Sequence, residues 1–247
     1  MSTIYPKLTI NKSCIFLLLM TLLWPLSVQA ELLRPFSAMT SLDDGWEPLV
    51  FPRISRHTHY QLVEKNGEQV VQADADKSAS GLIARLEVSP KDYPRLQWRW
   101  QVSNTFEKGD ARRKSGDDYP ARIYVAFAFE PQRASLLERA KRRTVRALFG
   151  EELPGNALNY IWANTLPEGD MVPNPFTEQT MMVAVTSGDA QVGEWVTVER
   201  NILEDYRAAF GTEPPAIVGI GIMSDADNTG ERATAWYGDI RLLPPGE

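Results

Sequence analysis

The sequence predicts a mostly β chain, an antiparallel β-sandwich of jelly-roll type with two short helices. Three observations carry this. Short runs rich in β-branched and aromatic residues recur along the chain, separated by turn residues. Only two segments have helical periodicity, and no βαβ rhythm is present.

The elements follow in chain order. Gly45–Leu49 reads as a turn into an edge strand. Thr58–Val63 and Gln69–Ala75 flank Lys65-Asn66-Gly67-Glu68, a hairpin signal, because Asn-Gly tolerates the positive φ angles of a two-residue turn. In Ser78–Val88, Leu82, Ala84 and Leu86 share one face, and Ile83, Arg85 and Glu87 the other. Leu96–Val102 alternates strongly: Leu96, Trp98, Trp100 and Val102 point one way, Gln97, Arg99 and Gln101 the other. Ala121–Phe129 is almost continuously apolar, as for a central strand covered on both faces. Asn159–Trp162, Gln179–Thr186, Glu194–Val198, Ile217–Met223 and Thr234–Leu242 complete the strands.

Ser135–Phe149 places Leu137, Ala140, Thr144 and Leu148 on one helical stripe, ringed by Arg139, Lys141, Arg142, Arg143 and Arg146. Asn201–Phe210 is the second helix. Asn201 is its N-cap, Glu204 and Asp205 lie in its first turn, and Gly211 follows its end.

Residues 1–30 read as a secretory signal peptide. Lys7 and Lys12 form a basic start, Cys14–Leu23 is apolar apart from Thr21, and Val28-Gln29-Ala30 is a small-x-small cleavage site. Cleavage leaves 31–247 as one β-sandwich domain, periplasmic or secreted, and no later apolar run is long enough to span a bilayer. It also removes two lysines and no acid, moving the formal net charge from −6 by two, to −8. Such an acidic surface argues against nucleic-acid binding, which needs Lys and Arg to neutralise phosphates. The only cysteine, Cys14, lies in the leader, so disulfide and thiol chemistry are excluded from the mature chain. Walker, dinucleotide-binding, HExxH and GxSxG motifs are absent.

Several groups of residues carry possible chemistry. Asp225, Asp227 and Asn228 sit in a Gly-ended loop, Ser224–Gly230, followed by Asp239. Asp225, Asp227 and Asp239 offer hard oxygen ligands, and calcium is the ion they would take. The same residues also suit an Asx-rich turn. A polar loop, Lys108–Ala121, delivers Asp117, Asp118 and Tyr119 to the start of a buried strand that opens with Arg122. Asp118 and Asp227 are the candidate catalytic pair, should the two loops meet, for acid–base work on a glycoside. Among the aromatics Trp46, Trp98, Trp100, Trp162, Trp195, Trp236 and Tyr237, most are read as core. Trp162 is the expected exception, because Asn159 and Asn164 flank it as amides flank a sugar-stacking ring. His57 and His59 alternate on a strand and would share a face. The basic segment around Arg139–Arg146 would meet anionic headgroups or acidic glycans.

The chain resembles a bacterial secreted family known as domain of unknown function 3047. The likeness rests on Trp98-Arg99-Trp100, Gly116–Arg122, Tyr160-Ile161-Trp162, Gly193-Glu194-Trp195, Glu199-Arg200-Asn201, Asp205-Tyr206, Ser224–Thr229 and Tyr237–Ile240. The resemblance implies an exported jelly-roll similar to carbohydrate-binding modules, of galactose-binding or concanavalin-like type. Fold alone does not assign a function.

The expected activity is binding of a glycan or other small polar ligand by Asp117, Asp118, Arg122, Trp162, Asp225, Asp227 and Asn228. Asp118 and Asp227 would accept hydroxyl hydrogen bonds, Arg122 would orient them, and Trp162 would stack. One alternative makes the same acids the catalysts of a glycoside hydrolase or polysaccharide lyase. Another is an envelope protein-interaction module using the basic helix.

Overall fold

Alternating apolar residues bury one face of each strand, and two sheets close on each other to remove those faces from water. The computed structural model describes residues 32–132, 139 and 154–246. The expected signal peptide lies outside the described residues, as does the expected helix 135–149 apart from Arg139.

The described strands are β1 Glu47–Leu49, β2 His59–Lys65, β3 Glu68–Asp76, β4 Ala79–Val88, β5 Arg95–Val102, β6 Arg122–Phe127, β7 Ala157–Ala163, β8 Met171–Asn174, β9 Thr177–Ser187, β10 Val196–Asn201, β11 Ile217–Asp225, β12 Arg232–Tyr237 and β13 Arg241–Leu243. The seven-stranded sheet runs β1-β4-β11-β6-β7-β9-β8. The six-stranded sheet runs β10-β5-β12-β3-β2, with β13 also paired to β5. The molecule is a mostly β jelly-roll sandwich, as the sequence predicts, with β6 in the middle of its sheet.

Two details differ from the expected pattern. The pairing is antiparallel except between β7 and β9, which run parallel. After β7 the chain steps past one strand position to form β8 at the edge, then turns back as β9 into the gap, so β9 must follow β7's direction. The expected strand Thr234–Leu242 is two pieces, β12 and β13, both against β5, interrupted at Gly238–Ile240.

Local chemistry accounts for the ends of elements. Asn66 and Gly67 both have positive φ, 57° and 81°, so β2 and β3 are joined by the two-residue turn that Asn-Gly favours. Helix α1, Ile202–Phe210, starts where the Asn201 side chain accepts from the Glu204 N–H, and ends at Gly211 with φ 68°. Asp205 holds the helix against β7 and β10. It accepts from Tyr160 Oη at 2.8 Å and takes the Arg200 guanidinium on both oxygens.

The core lies between the sheets. Trp98 and Trp100 of β5 meet Tyr160 and Trp162 of β7 at ring separations of 5.3 and 6.0 Å. Ile123, Val125 and Phe127 of β6 and Ile220 and Ile222 of β11 join them. A fully buried side chain of this size contributes about 1.5–3 kcal/mol.

Candidate functional site

β6 and β11 are neighbours in antiparallel register, with Met223 opposite Arg122. The loop before β6 and the loop after β11 therefore emerge at the same end of the sheet. This brings together the acidic loops that the sequence singles out. Arg122 and Asp225 are both buried and form a two-point ion pair: Nε donates to Asp225 Oδ1 at 2.9 Å, and Nη2 meets Oδ2. The Tyr119 N–H adds a hydrogen bond to Asp225 Oδ1 at 3.2 Å.

Asp118 is fully buried and turned onto the opposite loop. Its carboxylate accepts from the Asn228 N–H at 3.3 Å, the Asn228 amide at 3.1 Å and the Thr229 N–H at 2.5 Å. It is a clamp on the 226–230 turn. Asn164 fixes the clamp from behind, donating to the Asp118 carbonyl at 3.0 Å and accepting from the Phe106 N–H. A side chain at Gly109 would overlap Asn164, so only glycine lets the loop lie this close.

Carboxylate oxygens of Asp118, Asp225 and Asp227 lie within 4.8 Å of one another. Two of the three are already engaged, Asp225 by a guanidinium and Asp118 by three N–H donors. Donors aimed at these oxygens suit a self-neutralised loop junction better than a cation site. Asp227 is the more open member, and Asn228 is exposed. Burial and the negative charge of Asp118 raise the Asp227 pKa above its usual value. Asp239 lies apart from this group: its carboxylate accepts from the Ser37 N–H and hydroxyl at 2.9 and 2.7 Å.

A second set of polar groups, mostly unforeseen, adjoins the cluster on the outer face of the seven-stranded sheet. Asp117 Oδ2 accepts from Asn174 at the β8–β9 turn at 2.9 Å, and its Oδ1 lies 3.7 Å from Arg122 Nη1. The Tyr119 hydroxyl and the Asn159 amide are also buried, Tyr119 against Asp117 and Asn159 against Tyr124. Arg122 stacks on Tyr119 and Tyr124, its guanidinium carbon 4.9 and 5.9 Å from their ring centres. Burial pushes the Asp117 carboxyl upward against the pull of Arg122. Burial also raises the Tyr119 and Tyr124 phenols, so both stay protonated.

The aromatics divide by face. Trp46, Trp98, Trp100, Trp162 and Tyr237 are core. Trp162 corrects the expectation that it stacks a ligand: it is 0 % exposed, packs on Trp100 and donates to the Gly188 carbonyl. Its flanking residue Asn159 takes the outer face, which sends Trp162 inward. Trp236 and Trp195 lie outside the core, partly exposed. Trp236 pairs with Gln72 and Gln101 across the six-stranded sheet, and its indole N–H donates to Gln72 Oε1 at 2.9 Å. Gln72 donates in turn to Asp74, which also accepts from Thr234. The Lys65 ammonium stands 3.7 Å above the Trp236 ring. Arg99 lies 4.6 Å over Trp195 and pairs with Glu68. It reaches both because Gly238 has no side chain: a Cβ there would come within 2.6 Å of the Arg99 stem.

His57 precedes β2 and its Nε2 meets the Ile54 carbonyl, whereas His59 is in the strand, so the two do not form a shared strand face.

The chain belongs to the family described as protein of unknown function (DUF3047), whose model matches residues 44–241. Comparison with curated proteins finds no match. Among solved structures, it is similar to the family 11 carbohydrate-binding module of the cellulosomal cellulase Lic26A-Cel5E of Clostridium thermocellum. That match has TM-score 0.41 and 10% identity, covering 83% of this chain and 93% of that one. It is also similar to the CBM22-1-GH10 modules of the C. thermocellum endo-1,4-beta-D-xylanase 10B, complexed with xylohexaose. Here TM-score is 0.36 and identity 10%, over 88% of this chain and 29% of that one. A third is the cellulose induced protein Cip1, with TM-score 0.35 and 11% identity, over 85% and 95%.

Proposed function

We propose that the chain is an exported glycan-binding β-sandwich whose ligand lies along the outer face of the six-stranded sheet, over Trp236 and Trp195. The observation that carries this reading is the position of those two rings. Among the described residues the sandwich core accounts for the other tryptophans, while these two are partly exposed outside it. A pyranose ring has an apolar C–H face and a hydroxyl rim. The indoles suit the face, and Gln72, Asp74, Thr234 and Arg99 suit the rim.

Trp236 is on β12, and Trp195 directly precedes β10, with β5 between them. Two strand spacings place them about 10 Å apart, a span for an extended chain rather than one sugar. Lys65 covers Trp236, but an exposed cation–π contact is worth about 0.5–1 kcal/mol, and a flexible lysine yields readily to a sugar. Binding is favoured over turnover because Asp118, one half of the expected catalytic pair, is spent on three loop donors.

Titration calorimetry against soluble plant β-glycans and bacterial cell-wall fragments tests the reading. One glycan class should bind, and Trp236→Ala and Trp195→Ala should each weaken it at least tenfold with little change in melting temperature. A folded protein silent across the panel, or variants that bind like wild type, would refute it. Export is tested separately by the N-terminus of the protein recovered from the periplasm or medium, expected at Glu31.

A further inference from the structure

Each partly exposed indole of the proposed glycan face carries a cation against its ring. The Lys65 ammonium stands 3.7 Å from the centre of Trp236, and the Arg99 guanidinium carbon 4.6 Å from that of Trp195. A sugar that stacks on Trp236 must displace Lys65 from the ring or make use of it. The charges beside the ring decide between the two.

Strand register sorts those charges into two ends. Trp236 is level with Gln101 on β5, Gln72 on β3 and Gln61 on β2. Alternate residues of a strand share a face, which fixes the outward positions on either side of this row. On one side lie Thr234, Asp74 and His59, level with one another. The Asp74 carboxylate accepts there from Thr234 and Gln72. On the other side, towards the β2–β3 turn, lie Arg99, then Arg241 opposite Gln97, and Lys65 opposite Glu68. Leu242 belongs to the core, so Arg241 faces outward, and it is exposed. Glu68 is held by Arg99. Lys65 has thus lost its cross-strand acid to Arg99 and rests on the indole instead. Farther along, Arg95 and Glu199 pair with each other. Lys65, Arg99 and Arg241 against Glu68 leave this end of the face locally positive, on a chain whose net charge is −6.

We infer that the ligand of the tryptophan face is an anionic glycan, a linear chain bearing uronate carboxylates, with a carboxylate directed to Lys65 and Arg241 and its hydroxyls to Gln72 and Asp74. This inference rests on the glycan-binding reading above and adds the charge class. A neutral sugar displaces the ammonium from the ring and offers it no charge in return. A uronate at the ring edge gives the displaced ammonium a charge-assisted hydrogen bond, stronger than a bond between neutral groups. The flexible four-carbon stem of lysine lets the ammonium leave the ring and still reach that carboxylate. Asp74, on the opposite side of the Trp236 row, repels a carboxylate, so the two ends of the face set the orientation of the bound sugar.

Calorimetry on the protein with matched oligosaccharides that differ at C6 tests this: cello-oligosaccharides against β-1,4-glucuronic acid oligomers, and β-1,4-mannan against β-1,4-mannuronan fragments. The carboxylated member of at least one pair should bind about fivefold more tightly at low salt, and the preference should shrink at high salt as screening weakens Lys65 and Arg241. Lys65→Met should remove most of the preference, Lys65→Arg should restore it, and Arg241→Gln should reduce it. Trp236→Ala should weaken both members, with melting curves as the folding control. Equal or tighter binding of the neutral members, lost in Trp236→Ala, overturns the anionic assignment and leaves the glycan face standing. A carboxylate preference that survives in both Lys65→Met and Arg241→Gln overturns it as well. Binding of no member of either pair also overturns it, and the wider glycan panel then decides the face itself.

Discussion

Arg122 at the start of β6 and Asp225 at the end of β11 hold each other by two contacts while both are buried, joining two neighbouring strands where their loops leave the sheet. Removing one member of such a pair leaves an uncompensated charge in the interior. Arg122→Met should therefore cost about 3–5 kcal/mol, whereas Arg122→Met with Asp225→Leu should recover much of that loss. Urea melts of the two single variants and the double variant measure it. A double variant as unstable as the sum of the singles would contradict the pairing.

Asp118→Ala should release the 226–230 turn at a cost of about 2–3 kcal/mol, because three hydrogen bonds to a charged acceptor disappear. Hydrogen exchange at the Asn228 and Thr229 amides is the local readout. Both should lose protection, while the core strands β5 and β7 keep theirs at matched stability.

Asp227 supplies a pH prediction. Its folded pKa is raised above 3.8, so the folded state prefers the protonated form. The charged form is penalised at neutral pH, and the penalty disappears as pH falls through the folded value toward 3.8. Asp227→Asn should stabilise the protein at pH 7 by about 0.5 kcal/mol, the scale of a partly exposed charge interaction. It should make no difference near pH 3.5. Melting temperatures across this range check the sign, and a variant less stable at pH 7 would reverse it.

Gly238→Ala should displace Arg99 from its path across the strand and so loosen Trp195. Arg99 is part-exposed and long enough to swing aside, so the stability loss should stay below about 1 kcal/mol. Glycan affinity should fall toward that of Trp195→Ala. A large drop in melting temperature with affinity intact would show that the glycine matters to the backbone instead.

Where local chemistry determines structure, it was readable in advance. The alternation around Trp98 and Trp100, the Asn66-Gly67 turn and the caps of α1 are set by residues within a few positions of one another. The convergence of Asp117, Asp118 and Arg122 with Asp225, Asp227 and Asn228 was half visible, since both loops bordered apolar strands, but their meeting depends on β6 lying beside β11. Strand direction leaves no local trace, because parallel and antiparallel strands share a period of two, and so the β7–β9 pair stayed hidden. β8 has four residues and contains Pro173, too little for a pattern. Tyr124 was masked by the apolar run around it. Trp162 faces inward and Trp236 outward, the reverse of the expectation, because adjacent strand residues face opposite sides and only the register against Trp100 and Gln72 decides which side is inside.

The strand order also dictates when this protein can exist as a folded body during its synthesis. In the six-stranded sheet β12 sits between β3 and β5, and in the other β11 sits between β4 and β6. Each sheet thus has a gap in its middle until a late segment fills it. A ribosome-bound chain lacking residues beyond about 215 holds each sheet as two separate pieces with no strand to join them. Topologies built on such distant pairings fold slowly. A chain that cannot close before its last strands emerge stays threadable, the state in which an unfolded polypeptide passes through a narrow membrane pore.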